Sequence, residues 1–293
     1  MQRHLPLMPI LVTLLGIGLL SLMDAFMKNA SLALGAYNAA LFRSAMGFAL
    51  VMPIWLWAGG RWPSRAVLKV HVIRGVNGSM MALTFFYSLT KLPLAETIAI
   101  SFIAPVVSLY LAAVLLGEQI QRKAVWGASL GLAGTIVIVG GKFGRGNLNE
   151  DTWFGLAAII ISALLYAWNL VLQRQQALVA KPTEIATFYM GIAALVYLLA
   201  APWLLEVPQV GDLREVAISA VLSVGGALTL SWAYARAETQ VLAPLEYSGF
   251  LWASLFGWVL LHEKVTATTF AGAVLIVVGC WLSTRRRPEQ SAI

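Results

Sequence analysis

The 293-residue chain is poor in charge: Asp, Glu, Lys and Arg make up only 11% of it, against about 25% in an average soluble domain. It is instead 60% hydrophobic, with a mean hydropathy of +0.81. A soluble fold of this length has too little interior to bury so much apolar surface. The composition therefore excludes a soluble protein and favours an integral membrane protein whose apolar surface is covered by lipid.

The chain is also poor in residues that bind metals or form disulfides. Its single cysteine, Cys280, excludes an intramolecular disulfide and any multi-cysteine metal or iron–sulfur site. Its three histidines, His4, His71 and His262, fall in a tail or in predicted loops on different surfaces, where they cannot form one metal or acid–base site. We therefore expect no cofactor and no enzymatic activity.

Long apolar runs are what the sequence has in excess. Ten of them each approach the ~20 residues that a helix needs to cross the hydrocarbon core of a membrane. Their limits are 7–28, 36–58, 70–90, 94–117, 124–141, 153–173, 184–205, 215–235, 240–261 and 267–284. The sequence predicts an all-α integral membrane protein with ten transmembrane helices in contact with membrane lipid.

Positive charge decides the orientation of these runs. The net charge of +7 comes from short clusters between runs, not from a basic patch interleaved with aromatics, so it indicates a membrane surface and no nucleic-acid partner. With the N-terminus inside the cell, thirteen Lys and Arg lie on the inner side and six on the outer, with Arg43 inside a run. Because cytoplasmic loops carry the positive excess, both termini are predicted to be cytoplasmic.

An internal repeat with an offset of 145 residues runs through the chain without a gap. It aligns Glu118 with Glu263, together with several apolar triplets and glycines. Each half, 1–145 and 146–293, carries five runs, and this odd number makes the second half enter the membrane from the opposite side. Inverted repeats of this kind are typical of secondary transporters, which hold the substrate near the midplane between their halves.

The motif Leu-Leu-x-Glu ends runs four and nine, at Leu115–Glu118 and Leu260–Glu263, and a glycine-rich run follows each copy. Its two glutamates lie at helix ends and are expected to be structural. With Pro105 in run four, Arg43 in run two and Asn169 in run six, nearly the whole chain resembles the ten-helix EamA transporters of the drug/metabolite transporter superfamily. Within the family it is most similar to the YddG-type amino-acid exporters. The resemblance implies a multi-pass protein of the cell inner membrane that exports amino acids.

Polar residues inside the runs indicate where a substrate would bind, because they usually face the bundle interior or a water-filled cavity. Helical spacing places them on stripes that recur in both halves and mix hydroxyl, amide and aromatic groups. Such a lining suits a small amphipathic solute, whereas for a single Ser or Thr the alternative is close helix packing. The predicted substrate-binding residues are Asn77, Thr84, Tyr87, Ser101, Tyr166, Asn169, Thr229, Trp232, Glu246, Tyr247 and Ser248.

Charged residues inside the runs need partners or a function. Asp24 and Arg43 fall at similar depth in neighbouring runs, so they are candidates for an ion pair, with Lys28 as the competing partner of Asp24. Glu246 lies about two turns inside run nine. Either it couples transport to protons, as carboxylates do in many carriers, or it only fixes its helix through a hydrogen bond, for example to Ser248.

These patterns predict a secondary transporter that exports amino acids or similar small amphipathic metabolites by alternating access. Two alternatives stay open, namely an intramembrane enzyme and a passive solute channel. The oligomeric state is open between a monomer and a larger assembly, because the small-residue face at Gly127, Gly131 and Gly134 can pack within or between chains.

Overall fold

The computed structural model describes residues 7–116, 122–143, 150–208, 211, 213–263 and 266–284. Every regular element in these residues is helical, which confirms the predicted all-α class. The elements are α1 (Leu7–Trp57), α2 (Arg65–Leu89), α3 (Leu94–Ser101), α4 (Ile103–Leu116), α5 (Arg122–Phe143), α6 (Glu150–Val179), α7 (Pro182–Leu204), α8 (Leu213–Tyr234), α9 (Thr239–Leu242), a 3-10 segment (Ala243–Ser248), α10 (Gly249–Leu261) and α11 (Ala267–Thr284).

Each predicted apolar run overlaps a helix of the described residues, and the first two runs share α1. By length and composition, four described helices are long and apolar enough to cross a membrane: α1, α6, α7 and α8. The apolar composition therefore appears in the structure as helices of membrane-crossing length.

α1 consists of two helical segments that meet at Gly35, where φ is 77° and ψ is 150°. This backbone conformation is essentially restricted to glycine. Leu20, before Gly35, packs against Gly226 of α8, and Gly47, after it, lies beside Val224 of the same helix. A straight helix would separate Leu20 and Gly47 by about 40 Å, so the chain reverses direction at Gly35.

Helices of the two halves are interrupted at positions that the repeat makes equivalent. Between α3 and α4, Phe102 has φ −69° and ψ −2° and leaves the helix for one residue. Pro105 has no N–H to donate to the carbonyl of Ser101, four residues earlier, which explains a break here. The 3-10 segment between α9 and α10 covers the residues 145 positions after Ser101 and Phe102.

Helices of the first half pack mainly on helices of the second: α1 lies along α8 and α7, α2 along α6, and α5 along α11. The contact between α5 and α11 is so close that a Cβ added at Gly279 would lie 2.6 Å from the carbonyl oxygen of Gly127. A Cβ added at Gly131 would lie 2.6 Å from the ring of Tyr247. Gly127 and Gly131 of the small-residue face therefore pack within the chain.

Glu263 joins three parts of the chain. Its Oε1 lies 2.5 Å from Lys28 Nζ, and its two oxygens accept hydrogen bonds from the backbone N–H of Leu94 at 3.0 and 3.3 Å, which caps the start of α3. Lys28 also donates to the carbonyl oxygen of Leu92 at 2.9 Å. These contacts are structural, as expected for Glu263, whereas its repeat counterpart Glu118 lies outside the described residues.

We expect Gly35→Ala to destabilise the protein, because alanine at φ 77° and ψ 150° is strained by about 1–3 kcal/mol. The measurement is thermal unfolding of the purified protein in detergent. The matched control is Gly140→Ala in α5, where nothing lies within 4 Å of an added Cβ and alanine favours the helix. Equal unfolding temperatures of the two variants would contradict the reversal at Gly35.

Candidate functional site

A cavity of about 200 Å³ lies between the two halves of the chain. Its wall is built by residues of α1, α2 and α3 from the first half, and by residues of α6, α7, α8, the 3-10 segment and α10 from the second. The volume is below the roughly 300–1,000 Å³ of pockets for drug-sized ligands. The cavity therefore suits a small solute.

Both helix interruptions open onto this cavity. Ser101 and Phe102 line it at the first interruption, and Glu246 lines it at the second. Interrupted helices expose polar groups inside a membrane protein only where they line a cavity or are buried in protein. In transporters built from inverted repeats, paired interruptions mark the binding site.

Four side chains with a formal charge share the cavity wall: Asp24, Arg43, Arg74 and Glu246. Sequence reasoning found three of them and assigned Arg74 to the cytoplasmic surface. The signal that could have identified Arg74 is its position four residues inside the apolar run 70–90. A charge there is costly and is a functional candidate by default.

Arg74 is 7% exposed and is held by three uncharged amide side chains of α6. Its Nε donates to Asn169 Oδ1 at 3.2 Å, one terminal nitrogen donates to Gln173 Oε1 at 2.7 Å, and the other donates to Gln176 Oε1. The ring of Tyr189 lies 4.9 Å from the guanidinium carbon. Because the amides follow one face of α6, this helix accepts a guanidinium that has no counter-ion within hydrogen-bond distance among the described residues.

The hydrogen bonds around Arg74 continue through His71, which we had expected in a loop. His71 is fully buried in α2, because this helix begins at Arg65, five residues before the predicted run, where Ser64 Oγ caps it. His71 Nδ1 bonds to Gln176 Nε2, and His71 Nε2 lies 3.0 Å from Glu184 Oε1 of α7. This network connects α2, α6 and α7.

Glu246 is 7% exposed, and both of its carboxylate oxygens accept hydrogen bonds from tyrosines. Oε2 accepts from the Tyr166 hydroxyl at 2.6 Å, and Oε1 accepts from the Tyr234 hydroxyl at 3.2 Å. Ser248, the expected alternative partner, has an Oγ without a partner among the described residues. The two phenols therefore tie the 3-10 segment to α6 and α8.

Asp24 and Arg43 line the same cavity but do not form the direct ion pair expected from the sequence. Among the described residues, no Arg43 nitrogen lies within 4.0 Å of the Asp24 carboxylate. Arg43 donates instead to Ser223 Oγ at 2.7 Å, and Lys28 pairs with Glu263. Both charges of the expected pair therefore face the cavity without a direct contact between them.

The predicted substrate-binding residues fall into two groups. The residues that line the cavity are Ser101, Tyr166, Asn169 and Glu246. The residues outside its wall are Asn77, Thr84, Tyr87, Thr229, Trp232, Tyr247 and Ser248.

Contacts within and between helices account for much of the second group. Thr84 and Thr229, which the repeat makes equivalent, each donate to carbonyls three and four residues earlier in their own helix. Asn77 donates to a backbone carbonyl of α6 at 3.0 Å. The ring of Trp232 lies 4.0 Å from the guanidinium carbon of Arg236. The polar groups of these residues therefore make contacts within or between helices, which corresponds to the packing alternative considered above.

Known proteins are similar to this chain in sequence and fold. The model of the EamA-like transporter family matches residues 7–140 and again residues 153–285. The pseudopaline exporter of Pseudomonas aeruginosa is 30% identical over 274 residues, which cover 91% of this chain and 92% of that protein. The aromatic amino acid exporter YddG of Salmonella typhimurium is 27% identical over 292 residues, 94% of this chain and 98% of its own. A solved crystal structure with 24% identity has a TM-score of 0.74 and covers 94% of this chain and 96% of that chain.

We expect Arg74→Lys to lower the thermal stability, because one ammonium cannot span three amide oxygens in the way that a planar guanidinium does. Leaving a buried acceptor of a charged donor unpaired costs about 1.5–3 kcal/mol. The matched control is Arg65→Lys, at the exposed start of the same helix, where a change within about 0.5 kcal/mol is expected. Equal stability of both variants in detergent would contradict the role of the α6 amides.

Proposed function

The chain belongs to the EamA-like transporter family, and on this premise we propose that it is a secondary transporter that works by alternating access. It exports amino acids or similar small amphipathic metabolites across the cell inner membrane, where transporters of this family are multi-pass proteins.

The observation that carries the proposal is the position of the cavity between the two halves of the chain. Both halves contribute to its wall, and each contributes an interrupted helix at the repeat-equivalent position. A site shared in this way is accessible from alternate sides when one half rocks against the other. The lining therefore supports a carrier, and its polar residues Ser101, Tyr166, Asn169 and Glu246 are the proposed substrate-binding groups.

The substrate class follows from the chemistry of the wall. Phe85, Phe86 and Phe102 line one part of the cavity and can cover an apolar side chain, while the four charged residues can hold a polar head group. Two of the relatives are named as exporters, one of them an exporter of aromatic amino acids. These features together support export of amino acids or comparable solutes.

The proposed architecture has ten membrane-spanning segments in two inverted repeats, 1–145 and 146–293, with both termini in the cytoplasm. Two observations support it: the family model matches the chain twice, and the reversal at Gly35 divides α1 into two segments that match the first two apolar runs. The excess of positive charge on the inner loops sets the orientation.

Counterflow in liposomes tests the function. Vesicles that contain the purified protein and unlabelled L-phenylalanine, L-leucine or L-methionine should accumulate the labelled amino acid from outside faster than unloaded vesicles. A passive channel gives no such acceleration, and an intramembrane enzyme would convert the solute instead of exchanging it. Absence of exchange for every amino acid tested, with protein-free liposomes as the baseline, would contradict the proposal.

Thiol labelling tests the topology in a Cys280→Ala background. We expect Arg145→Cys to react with a membrane-impermeant maleimide added outside intact cells, because the proposed topology puts the junction of the two repeats on the outer side. Arg65→Cys, at the start of α2, should react only after the membrane is opened. Labelling of both positions from one side would exclude the inverted arrangement.

Glu246 is the candidate for proton coupling, because it is a buried carboxylate at one of the two helix interruptions. Coupling predicts that an imposed pH gradient drives transport by the wild type and that Glu246→Gln abolishes this drive while gradient-free exchange survives. The alternative, in which Glu246 only anchors the 3-10 segment through Tyr166 and Tyr234, predicts a wild type that is indifferent to the gradient. Vesicle uptake with and without the gradient separates the two.

A further inference from the structure

Two of the four charged side chains in the cavity are satisfied by the protein itself, and two are not. Arg74 is held by amide oxygens and Glu246 by two phenols. Asp24 accepts no hydrogen bond from any described residue, and the buried Nε of Arg43 has no acceptor there. Gln173 Nε2, on the same wall, is a further unpaired donor.

We propose that Asp24 and Arg43 recognise the two charged groups of a zwitterionic substrate. An ammonium group binds the Asp24 carboxylate, and a carboxylate group binds the Nε edge of the Arg43 guanidinium. This inference rests on the proposed transport function and narrows its substrates to solutes that carry both a free amino group and a free carboxylate.

The fold holds these two side chains in place for this task. Both belong to α1, on opposite sides of the reversal at Gly35. Arg43 is 4% exposed, its guanidinium is fixed by Ser223 and lies over the ring of Phe86 at 5.1 Å, and its Nε edge is left unpaired. A carboxylate commonly binds such an edge through two parallel hydrogen bonds.

Asp24 and Arg43 line one cavity without contacting each other. No nitrogen of Arg43 lies within 4.0 Å of the Asp24 carboxylate oxygens, so the two side chains form no direct ion pair, yet both reach the wall of the same cavity. In an α-amino acid the ammonium and the carboxylate are attached to one carbon. A molecule of this kind placed between the two side chains gives each of them an opposite charge.

Charge balance explains why both groups are needed. The wall carries two formal positive and two formal negative charges, so a zwitterion enters without changing the net charge of the cavity. An amine without a carboxylate, or an acid without an amine, adds an uncompensated charge to an apolar bundle and leaves Arg43 or Asp24 unpaired. The loss of one charged hydrogen bond corresponds to about a tenfold to hundredfold weaker binding.

The test compares matched solutes as inhibitors of labelled amino-acid exchange in liposomes with the full-length protein. For L-phenylalanine the analogues are phenethylamine, which lacks the carboxylate, and 3-phenylpropionate, which lacks the ammonium. For L-leucine they are isopentylamine and 4-methylpentanoate. We expect each analogue to inhibit the wild type at least about tenfold more weakly than its parent amino acid.

Variants then assign each charge to its residue. In Asp24→Asn, we expect the parent amino acid to inhibit exchange about tenfold or more weakly than in the wild type, because its ammonium group loses its partner. Inhibition by the analogue that lacks the ammonium should not weaken, so the preference for the ammonium group disappears. In the same way, Arg43→Gln should abolish the preference for the parent amino acid over the amine that lacks the carboxylate. Arg43→Lys keeps the positive charge and should retain part of this preference. The matched control is Asp151→Asn, which should behave as the wild type. The Asp151 side chain is 63% exposed and pairs with Lys91.

Each outcome decides the inference. The inference would be overturned if the analogues inhibited the wild type as strongly as their parent amino acids do. It would also be overturned if Asp24→Asn weakened inhibition by the parent amino acids and by their analogues by the same factor. In both cases amino-acid exchange would persist, and the proposed function would stand. A wild type that exchanges no amino acid in the panel would contradict the proposed function and the inference together.

Discussion

The structure depends on one constraint: an ionised side chain inside an apolar helical bundle must find hydrogen-bonding partners or serve a ligand. Four such side chains meet in one cavity. The protein gives Arg74 neutral amide acceptors and gives Glu246 two phenol donors, and neither side chain has a direct ion pair among the described residues. For Asp24 and Arg43 it provides fewer partners, and the two remain available to a solute. The four charged side chains therefore differ in how far the protein itself supplies their hydrogen-bonding partners.

Backbone irregularities bring these side chains to one place. The reversal at Gly35 returns the second segment of α1 to the same stretch of α8 that the first segment contacts, so Asp24 and Arg43 face one cavity. The interruption at Phe102 and the 3-10 segment Ala243–Ser248 bring Ser101 and Phe102 of the first half and Glu246 of the second to the same wall. Each interruption therefore contributes a polar residue, Ser101 or Glu246, to the cavity wall.

The sequence was sufficient to predict the all-helical class, because apolar runs of membrane length leave few alternatives. It was less informative about the cavity wall. The periodicity of Thr84 and Thr229 is real, but a hydroxyl on a helix can satisfy itself on its own preceding turn, so a polar stripe does not require a cavity. Arg74 finds its amides 95 to 102 residues away, and Lys28 finds Glu263 at a separation of 235 residues. Local spacing in the sequence favoured partners close along the chain, whereas the packing of distant helices determined which partners these side chains have.

The central claim, that a transported amino acid occupies the cavity between the two halves, is most directly tested by protection of a thiol placed in its wall. In a Cys280→Ala background, Ser101→Cys would be alkylated by a small permeant reagent with and without a saturating amino acid that the protein exchanges. We predict that the amino acid slows alkylation at position 101 and leaves unchanged the rate for Ser64→Cys, at the exposed cap of α2. An unchanged rate at position 101 in the presence of that amino acid would contradict the account.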